Sequence, residues 1–245
     1  MTIARTPGSF TAAFVVLLSL AAAAVSGQTW PTAPEPTPIP IGTVTVKLPE
    51  PIVKSATSLE EALRGRSAAR TFATAPLTLA EAGQLLWAAQ GITGKYDRRA
   101  APSAGGLYPL SVILVAGNIA GLPPAVYRYS PTTNEIVRIG EGDRRPAIAE
   151  ACHFPPLAGV PALFVITAAE SRTAKAYGNR APKLVALEAG AASQDLSLEA
   201  VALGLGCGLI VDFDVAKLAQ ATGTTHDEAP FMVLPVTRPE PAPRS

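Results

Sequence analysis

Residues 183–213, KLVALEAGAASQDLSLEAVALGLGCGLIVDF, contain the pattern that decides the fold. Apolar residues recur in the first part at three- and four-residue steps, which predicts one long helix over 183–205: Leu184, Leu187, Ala191, Leu198, Val201 and Leu205. The small residues at 190–193 permit close packing of that helix. Glycines at 204, 206 and 208 predict a helix end and a tight return of the chain, whose free amides could face a ligand.

Shorter elements surround this helix. Ser58-Leu-Glu-Glu61 and Thr78-Leu-Ala-Glu81 are capping boxes, and each predicts a helix start. The second helix is predicted to end at Gly91, and a last helix to run from Asp214 through Ala221. Apolar, β-branched runs predict the strands, two of which flank a turn and form a hairpin: 110–116, 162–168, 231–236 and the hairpin 125–129 with 135–139. Helices between non-consecutive strands predict one α+β domain over 58–236, an α/β/α sandwich.

Composition excludes several classes of protein. The chain has 245 residues, of which 48% are hydrophobic and 16% charged, so it is not a disordered protein. Twenty basic residues balance nineteen acidic ones with no basic run, which argues against a nucleic-acid partner. Two histidines and two cysteines without ligand spacing argue against a zinc site, an iron–sulfur cluster and a disulfide scaffold.

The two ends of the chain differ from its centre. A short basic start and the apolar run 10–25 predict a signal peptide over 1–27, with cleavage before Gln28 favoured over an uncleaved membrane anchor. The mature chain is then expected to be periplasmic or secreted, with no membrane contact and with both cysteines in an oxidising compartment. Whether Cys152 and Cys207 pair stays open. The proline-rich stretch 28–57 predicts an extended linker, and 237–245 a similar tail.

Two arginines follow the first predicted helix in Arg66-Ser-Ala-Ala-Arg70. Two guanidinium groups four residues apart, with a hydroxyl between them, can surround a phosphate through charge-assisted hydrogen bonds. The alternative is a solvated helix end, where positive charge is also favourable.

A glycine loop precedes the strand at 110–116, with the sequence Pro102-Ser-Ala-Gly-Gly-Leu-Tyr-Pro109. Two adjacent glycines allow the backbone to approach a flat ligand closely, and the loop amides and Ser103 can donate to its acceptors. The alternative is a loop in which proline and glycine serve only as turn residues.

The order and spacing of these motifs resemble the flavin nitroreductase superfamily, most closely its SagB-type dehydrogenase branch, which includes azoline oxidases. The resemblance runs from Ser58 to Val236. Besides the motifs already quoted, the resemblance rests on the following sequence segments: Arg70-Thr-Phe72, Leu77-Thr-Leu79, Gln84-Leu-Leu-Trp-Ala-Ala-Gln-Gly91, Val126-Tyr-Arg-Tyr129, Tyr177-Gly-Asn-Arg180, Glu188-Ala-Gly190 with Gln194, and Gly204-Leu-Gly206.

The resemblance implies an FMN-dependent oxidoreductase that transfers hydride through flavin N5, with NAD(P)H as a candidate electron donor and a small molecule or a peptide heterocycle as substrate. It implies a nitroreductase-like FMN-binding fold in a domain-swapped homodimer, with two flavins at the subunit interface. The cofactor-binding residues that it implies fall into three sets: Arg66, Ser67 and Arg70 on the phosphate; Pro102, Ser103, Ala104, Gly105 and Leu107 of the partner subunit's loop along the isoalloxazine; and Leu209, Ile210 and Val211, one of whose amides reaches N5.

The azoline oxidases in this branch use a lysine–tyrosine pair, which makes Lys175 and Tyr177 the candidate proton-transfer residues. The alternative for them is a solvated lysine beside a packed tyrosine. For the whole protein, the alternative is an exported flavin- or ligand-binding protein with this fold and no turnover. Export and the presence of Val211 and Asp212, where many relatives carry glycines, keep that alternative open.

Overall fold

The computed structural model describes residues 44–224 and 227–239. The strands in this part of the chain are β1 (Thr45–Lys47), β2 (Leu77–Thr78), β3 (Leu110–Ala116), β4 (Ile119–Ala120), β5 (Ala125–Ser130), β6 (Glu135–Glu141), β7 (Ala162–Ala168), β8 (Gly206–Cys207) and β9 (Ala229–Thr237). The α-helices are α1 (Leu59–Gly65), α2 (Leu79–Gln90), α3 (Arg145–Ala151), α4 (Glu170–Tyr177), α5 (Ala181–Ala202) and α6 (Val215–Thr222).

An antiparallel sheet forms the middle layer, with strand order β1-β6-β5-β3-β7-β9-β8. Its central strands β3 and β7 are buried almost throughout. Because successive side chains of a strand point to opposite faces, β3 contributes to two separate cores. Val112 and Leu114 pack with α2 and α5, whereas Ile113 and Val115 pack with α3 and α6. Helices therefore cover both faces, and the predicted α/β/α sandwich is confirmed.

The predicted helix starts are confirmed in detail. Ser58 Oγ accepts the Glu61 amide while the Glu61 carboxylate accepts the Ser58 amide, and Thr78 and Glu81 form the same reciprocal pair. Asp214 caps α6 through the Lys217 amide. The long helix α5 starts two residues earlier and ends three residues earlier than its apolar pattern predicts.

The predicted linker 28–57 is wrong for the residues that the structure describes. Thr45–Lys47 pair with β6 as the edge strand β1, and Leu48 is buried in the core beneath α2. The Ile52 backbone also exchanges two hydrogen bonds with the Gln84 side chain, at 2.8 and 2.9 Å. A three-residue strand is too short to show a period, and the prolines that follow it conceal it further. The folded part similarly continues past 236, because Arg238 pairs with Glu81 at 2.8 Å.

The predicted signal peptide 1–27, residues 28–43 of the predicted linker and the last part of the predicted tail lie outside the described residues. Within the described ranges, no helix combines the length and the apolar character needed to cross a membrane.

A partly buried ion pair links β5 and β7 to the residue that precedes β9. Arg128 on β5 donates two hydrogen bonds to Glu228, at 2.8 and 2.7 Å, and Thr167 on β7 donates a third. Glu228, next to β9, is 8% exposed. Burial raises the pKa of this carboxyl, but the bonds from Arg128 and Thr167 outweigh burial and leave its pKa below the usual value.

We expect Glu228→Ala to lower the free energy of unfolding by about 3 kcal/mol, since it leaves a partly buried guanidinium without its partner. Chemical denaturation measures this loss. The matched control is Glu141→Ala, which removes an exposed ion pair with Arg138 and should cost no more than about 0.5 kcal/mol. Equal effects of the two substitutions would contradict this role of Glu228. Because the pKa of Glu228 is lowered, its contribution should disappear only as the pH falls through that lowered pKa.

Candidate functional site

The arginine segment, residues 66–70, leaves α1 in an extended conformation. Arg66 caps α1 with φ −66° and ψ 113°, and Ala68 forms a parallel bridge with Cys207. The Ala69 amide donates to the Cys207 carbonyl at 2.9 Å. The arginine segment is therefore fixed beside the glycine-rich chain that leaves α5.

The side chains of the arginine segment are available for a ligand. Arg66, Ser67 and Arg70 are all exposed, and among the described residues none of the three side chains makes a hydrogen bond or an ion pair. Two unpaired guanidinium groups and a free hydroxyl fit the phosphate-binding role that the sequence suggests.

The glycine return, residues 204–211, follows α5 and runs antiparallel to β9. Gly204 has φ +69°, a conformation that side chains other than glycine rarely adopt. The Gly208 amide donates to the Pro235 carbonyl at 2.9 Å, and Ile210 exchanges two bonds of 2.9 Å with Val233. Alternate amides of such a pair point away from the neighbouring strand.

Because of this alternation, the backbone amides of the three residues predicted to face flavin N5 do not all point the same way. The Ile210 amide is already committed to the Val233 carbonyl. The Leu209 and Val211 amides have no acceptor within the described part of the chain, and both side chains are exposed. Leu209 and Val211 are therefore the two positions in the glycine return that can donate a backbone hydrogen bond to a ligand.

The glycine loop, residues 102–109, turns sharply before β3. It contains a 3₁₀ turn over Ala104–Gly106, closed by the Leu107 amide, and Gly105 has φ +63°. A Cβ atom on Gly105 would lie 2.9 Å from the Tyr177 hydroxyl. Ser103 Oγ accepts the Tyr108 amide at 2.9 Å. Glycine is therefore needed here for both backbone conformation and close approach, while Pro102 at the loop entrance is exposed.

Two arginines that the sequence analysis did not select hold this loop. Arg172 on α4 donates to the Tyr108 carbonyl at 3.2 Å. The Arg99 guanidinium lies 4.5 Å from the centre of the Tyr108 ring and donates to Gln90 Oε1 at 2.8 Å. In the sequence, only the position of Arg99 three residues before Pro102 indicates that it lies near the glycine loop. No sequence pattern indicates the role of Arg172, because its contact with the loop depends on the packing of α4.

Lys175 and Tyr177 do not form a pair. Both lie on α4, where residues two apart point in different directions. Lys175 is exposed, whereas Tyr177 packs over Gly105. The cation beside the Tyr177 ring is instead Arg180, whose guanidinium carbon lies 5.4 Å from the ring centre. The packed-tyrosine alternative describes this geometry.

The candidate residues thus form two groups in one chain. The first group joins the arginine segment and the glycine return, and the second joins the glycine loop with Arg99, Arg172 and Tyr177. In the described ranges no hydrogen bond or ion pair connects the two groups. Comparison with known proteins bears on what they do: a model of the nitroreductase family matches residues 63–238.

The chain belongs to the nitroreductase family. A relative from Methanocaldococcus jannaschii, MJ1384, also named as a nitroreductase, is 32% identical over 184 residues that cover 74% of this chain and 90% of the relative. A Ralstonia eutropha structure named as a nitroreductase superposes with a TM-score of 0.71 at 26% identity, covering 80% of this chain and 90% of the other.

A more distant likeness concerns the fold alone. The Escherichia coli microcin synthetase McbBCD complex, with truncated pro-MccB17 bound, includes a chain that superposes with a TM-score of 0.63 at 19% identity. The match covers 74% of this chain and 73% of the other.

Both cysteines of this nitroreductase-family chain are buried and free. Cys152 lies in the core beneath α3 and α6, and Cys207 in the core beneath α2 and α5, so the sheet separates them. Burial raises the pKa of each thiol to about 11. For Cys207 the Ser197 hydroxyl and the Arg66 charge act in the opposite direction but do not outweigh burial.

We expect neither thiol to react with Ellman's reagent at about pH 8 in the folded protein, since reaction requires an accessible thiolate. Two thiols should react once the protein is unfolded in guanidinium chloride. Fast reaction of either thiol before unfolding, or the absence of two thiols afterwards, would contradict this assignment of both cysteines as structural.

Proposed function

We propose that this chain is an FMN-dependent oxidoreductase that transfers hydride between a donor and an acceptor in one cleft. The observation that carries the proposal is the first group: two unpaired guanidinium groups bridged directly to a segment with two free amides. Family membership supports a flavin-dependent oxidoreductase and favours it over the ligand-binding protein without turnover.

The residues present fit FMN. Its phosphate would supply the negatively charged partner that the Arg66 and Arg70 side chains do not have among the described residues. Guanidinium–phosphate bonds are strong and directional. The amides of Leu209 and Val211 are the donors that would meet the ring edge. Ser67 would contribute its hydroxyl from the exposed side of the arginine segment.

FMN, when bound, supplies hydride transfer at N5, and the protein supplies binding, orientation and electrostatics. Arg66 and Arg70 anchor the phosphate and so fix where the ring lies. The backbone of the glycine return presents donors in fixed positions, because Gly208 and Ile210 tie it to β9. The glycine loop provides a surface without side chains at Gly105 and Gly106, suited to covering a flat ring and excluding water.

We further propose a homodimer in which the second group of one subunit faces the first group of its partner. Members of this family are commonly homodimers. The separation of the two groups within one chain supports the arrangement. Exposed apolar side chains also support it: Leu209 (52% exposed) and Val211 (64%) in the first group, and Leu187 (63%) on α5. Burying such side chains is favourable and is a typical driving force of association.

Within the family, we propose the SagB-type dehydrogenase branch, with NAD(P)H as electron donor and a small molecule or a peptide heterocycle as substrate. The collinear motifs from Ser58 to Val236 support the branch. Export stays a prediction, since the apolar run 10–25 that suggests it precedes the described residues.

The purified protein should be yellow, lose its flavin absorbance on addition of NADPH without oxygen, and recover it with a nitroaromatic acceptor. The cycle tests turnover, and absorbance spectroscopy records it. Bound FMN that is reduced by neither NADPH nor NADH would overturn the oxidoreductase in favour of the binding protein.

The double variant Arg66→Ala/Arg70→Ala should weaken FMN binding by about 100-fold or more, because each charged hydrogen bond contributes about 1.5–3 kcal/mol. Fluorescence quenching of FMN on titration gives the Kd. Arg64→Ala is the matched control: Arg64 lies in the last turn of α1, is exposed, and carries the same charge two residues before Arg66. An unchanged Kd in the double variant, or an equal loss in the control, would contradict the phosphate assignment.

A further inference from the structure

Three buried side-chain atoms beneath the glycine loop lack hydrogen-bond partners among the described residues: Gln90 Nε2, Arg99 Nε and Glu188 Oε1. Gln90 is 1% exposed and Glu188 is 4% exposed. Buried polar atoms in folded proteins are nearly always paired, so unpaired atoms in one region require an explanation. All three belong to side chains that support the loop or face it.

Glu188 occupies the centre of this region. It projects from the buried face of α5 towards the Ser103 hydroxyl and the Arg99 charge. Arg99 does not neutralise it through an ion pair, since the Arg99 guanidinium donates to Gln90 and stacks on Tyr108. The carboxyl is therefore enclosed near one hydroxyl and one positive charge with which it forms no ion pair.

Other charged and titratable groups act on Glu188 mainly through Arg99. Tyr108 from the loop, Arg172 from α4 and Asp97 from the segment before the loop each interact electrostatically with Arg99. Tyr129 on β5 also faces Arg99, and burial raises the pKa of its hydroxyl to about 12, so it stays neutral. Glu188 is thus the group here that can change charge near neutral pH.

We propose that Glu188 is the positioning residue of the glycine loop, holding the Ser103 hydroxyl when ionised and releasing it to the flavin when protonated. This inference rests on the proposed function. An ionised carboxylate can only accept, so the Ser103 hydroxyl donates to Glu188. A protonated carboxyl has a donor of its own, and the Ser103 hydroxyl is free to donate elsewhere while Ser103 Oγ still accepts the Tyr108 amide.

Burial allows Glu188 to change its charge within the pH range in which enzymes work. It raises the pKa of Glu188 to about 7, and the Ser103 hydroxyl and Arg99 only partly oppose it. As the pH rises through neutrality, the ionised carboxylate holds the Ser103 hydroxyl, which is then no longer a donor to the flavin, and flavin binding weakens.

The first test uses the protein without flavin. A carboxyl whose pKa is higher in the folded than in the unfolded state binds more protons when folded, so stability falls as the pH rises from about 4.5 to about 7. Glu188→Gln cannot ionise and escapes this loss. Its Tm should match the wild type at about pH 5 and exceed it by about 5 °C or more at about pH 8. A constant difference in Tm across this range would overturn the titration of Glu188.

The second test is the ratio of the FMN Kd values of wild type and Glu188→Gln, which cancels the titration of the FMN phosphate itself. We expect a ratio near one at about pH 5.5 and about tenfold weaker binding by the wild type at about pH 8.5. When Ser103→Ala is introduced into both the wild type and Glu188→Gln, the ratio of their Kd values should no longer depend on pH. Glu199→Gln is the matched control: Glu199 lies on the same helix with a pKa raised by burial, but it faces Gln84.

The outcomes separate the two proposals. A protein that binds no FMN at any pH overturns the proposed function and, with it, the role of Glu188 towards the flavin. Normal FMN binding with a pH-independent Kd ratio overturns the role of Glu188 alone. A pH-dependent ratio that persists in the Ser103→Ala background would show that Glu188 does not act through the Ser103 hydroxyl, and would also overturn the proposal.

Discussion

The pairing of the glycine return with β9 is the interaction on which the candidate site depends. Gly208 bonds to Pro235 and Ile210 to Val233, so the chain leaving α5 is held at the edge of the sheet. Because alternate amides of such a pair face away from the neighbouring strand, the same pairing leaves the Leu209 and Val211 amides free to donate. The bridge between Ala68 and Cys207 then attaches the arginine segment to this edge.

The two covered faces of the sheet explain why the site lies where it does. Helices α2 and α5 occupy one face and α3 and α6 the other, and the side chains between them are almost fully buried. A ligand of the size of a flavin therefore has no room within the layers. The candidate ligand groups lie instead outside the layers: the first group at the edge beyond β9 and the second group at the turn before β3. In the homodimer that we propose, each cleft would combine the first group of one chain with the second group of its partner.

The sequence predicts the layers better than the contacts between them. Strands β3 and β7 have their predicted bounds, because a run of apolar residues buried on both sides is a strong signal. The capping boxes at Ser58 and Thr78 are equally local and equally reliable. Strand β1 was missed because only its partner β6 makes it a strand. The resemblance to azoline oxidases pairs Lys175 with Tyr177, but α4 points the two side chains in different directions.

For the candidate site, too, the sequence predicts the motifs but not the contacts between them. The arginine segment, the glycine loop and the glycine return were recognisable because each is a short, continuous motif. The commitment of the Ile210 amide depends on the register with β9, and the contacts of Arg99 and Arg172 depend on how α4 and α2 pack around Tyr108. Such relations join residues far apart in the chain, and no local pattern encodes them.

The polar side chains beneath the glycine loop are costly for the fold, which is an argument that their role is not structural. A buried carboxyl without an ion pair and a guanidinium with an unpaired nitrogen both lose the stabilisation that water would give them. Apolar residues at 90 and 188 would fill the same space at lower cost, as they do elsewhere along α2 and α5. The cost falls where α5 contacts the glycine loop, which we propose covers the flavin. Local violations of the rules for stable cores are expected at functional positions, and here the violation directs a single hydroxyl, that of Ser103.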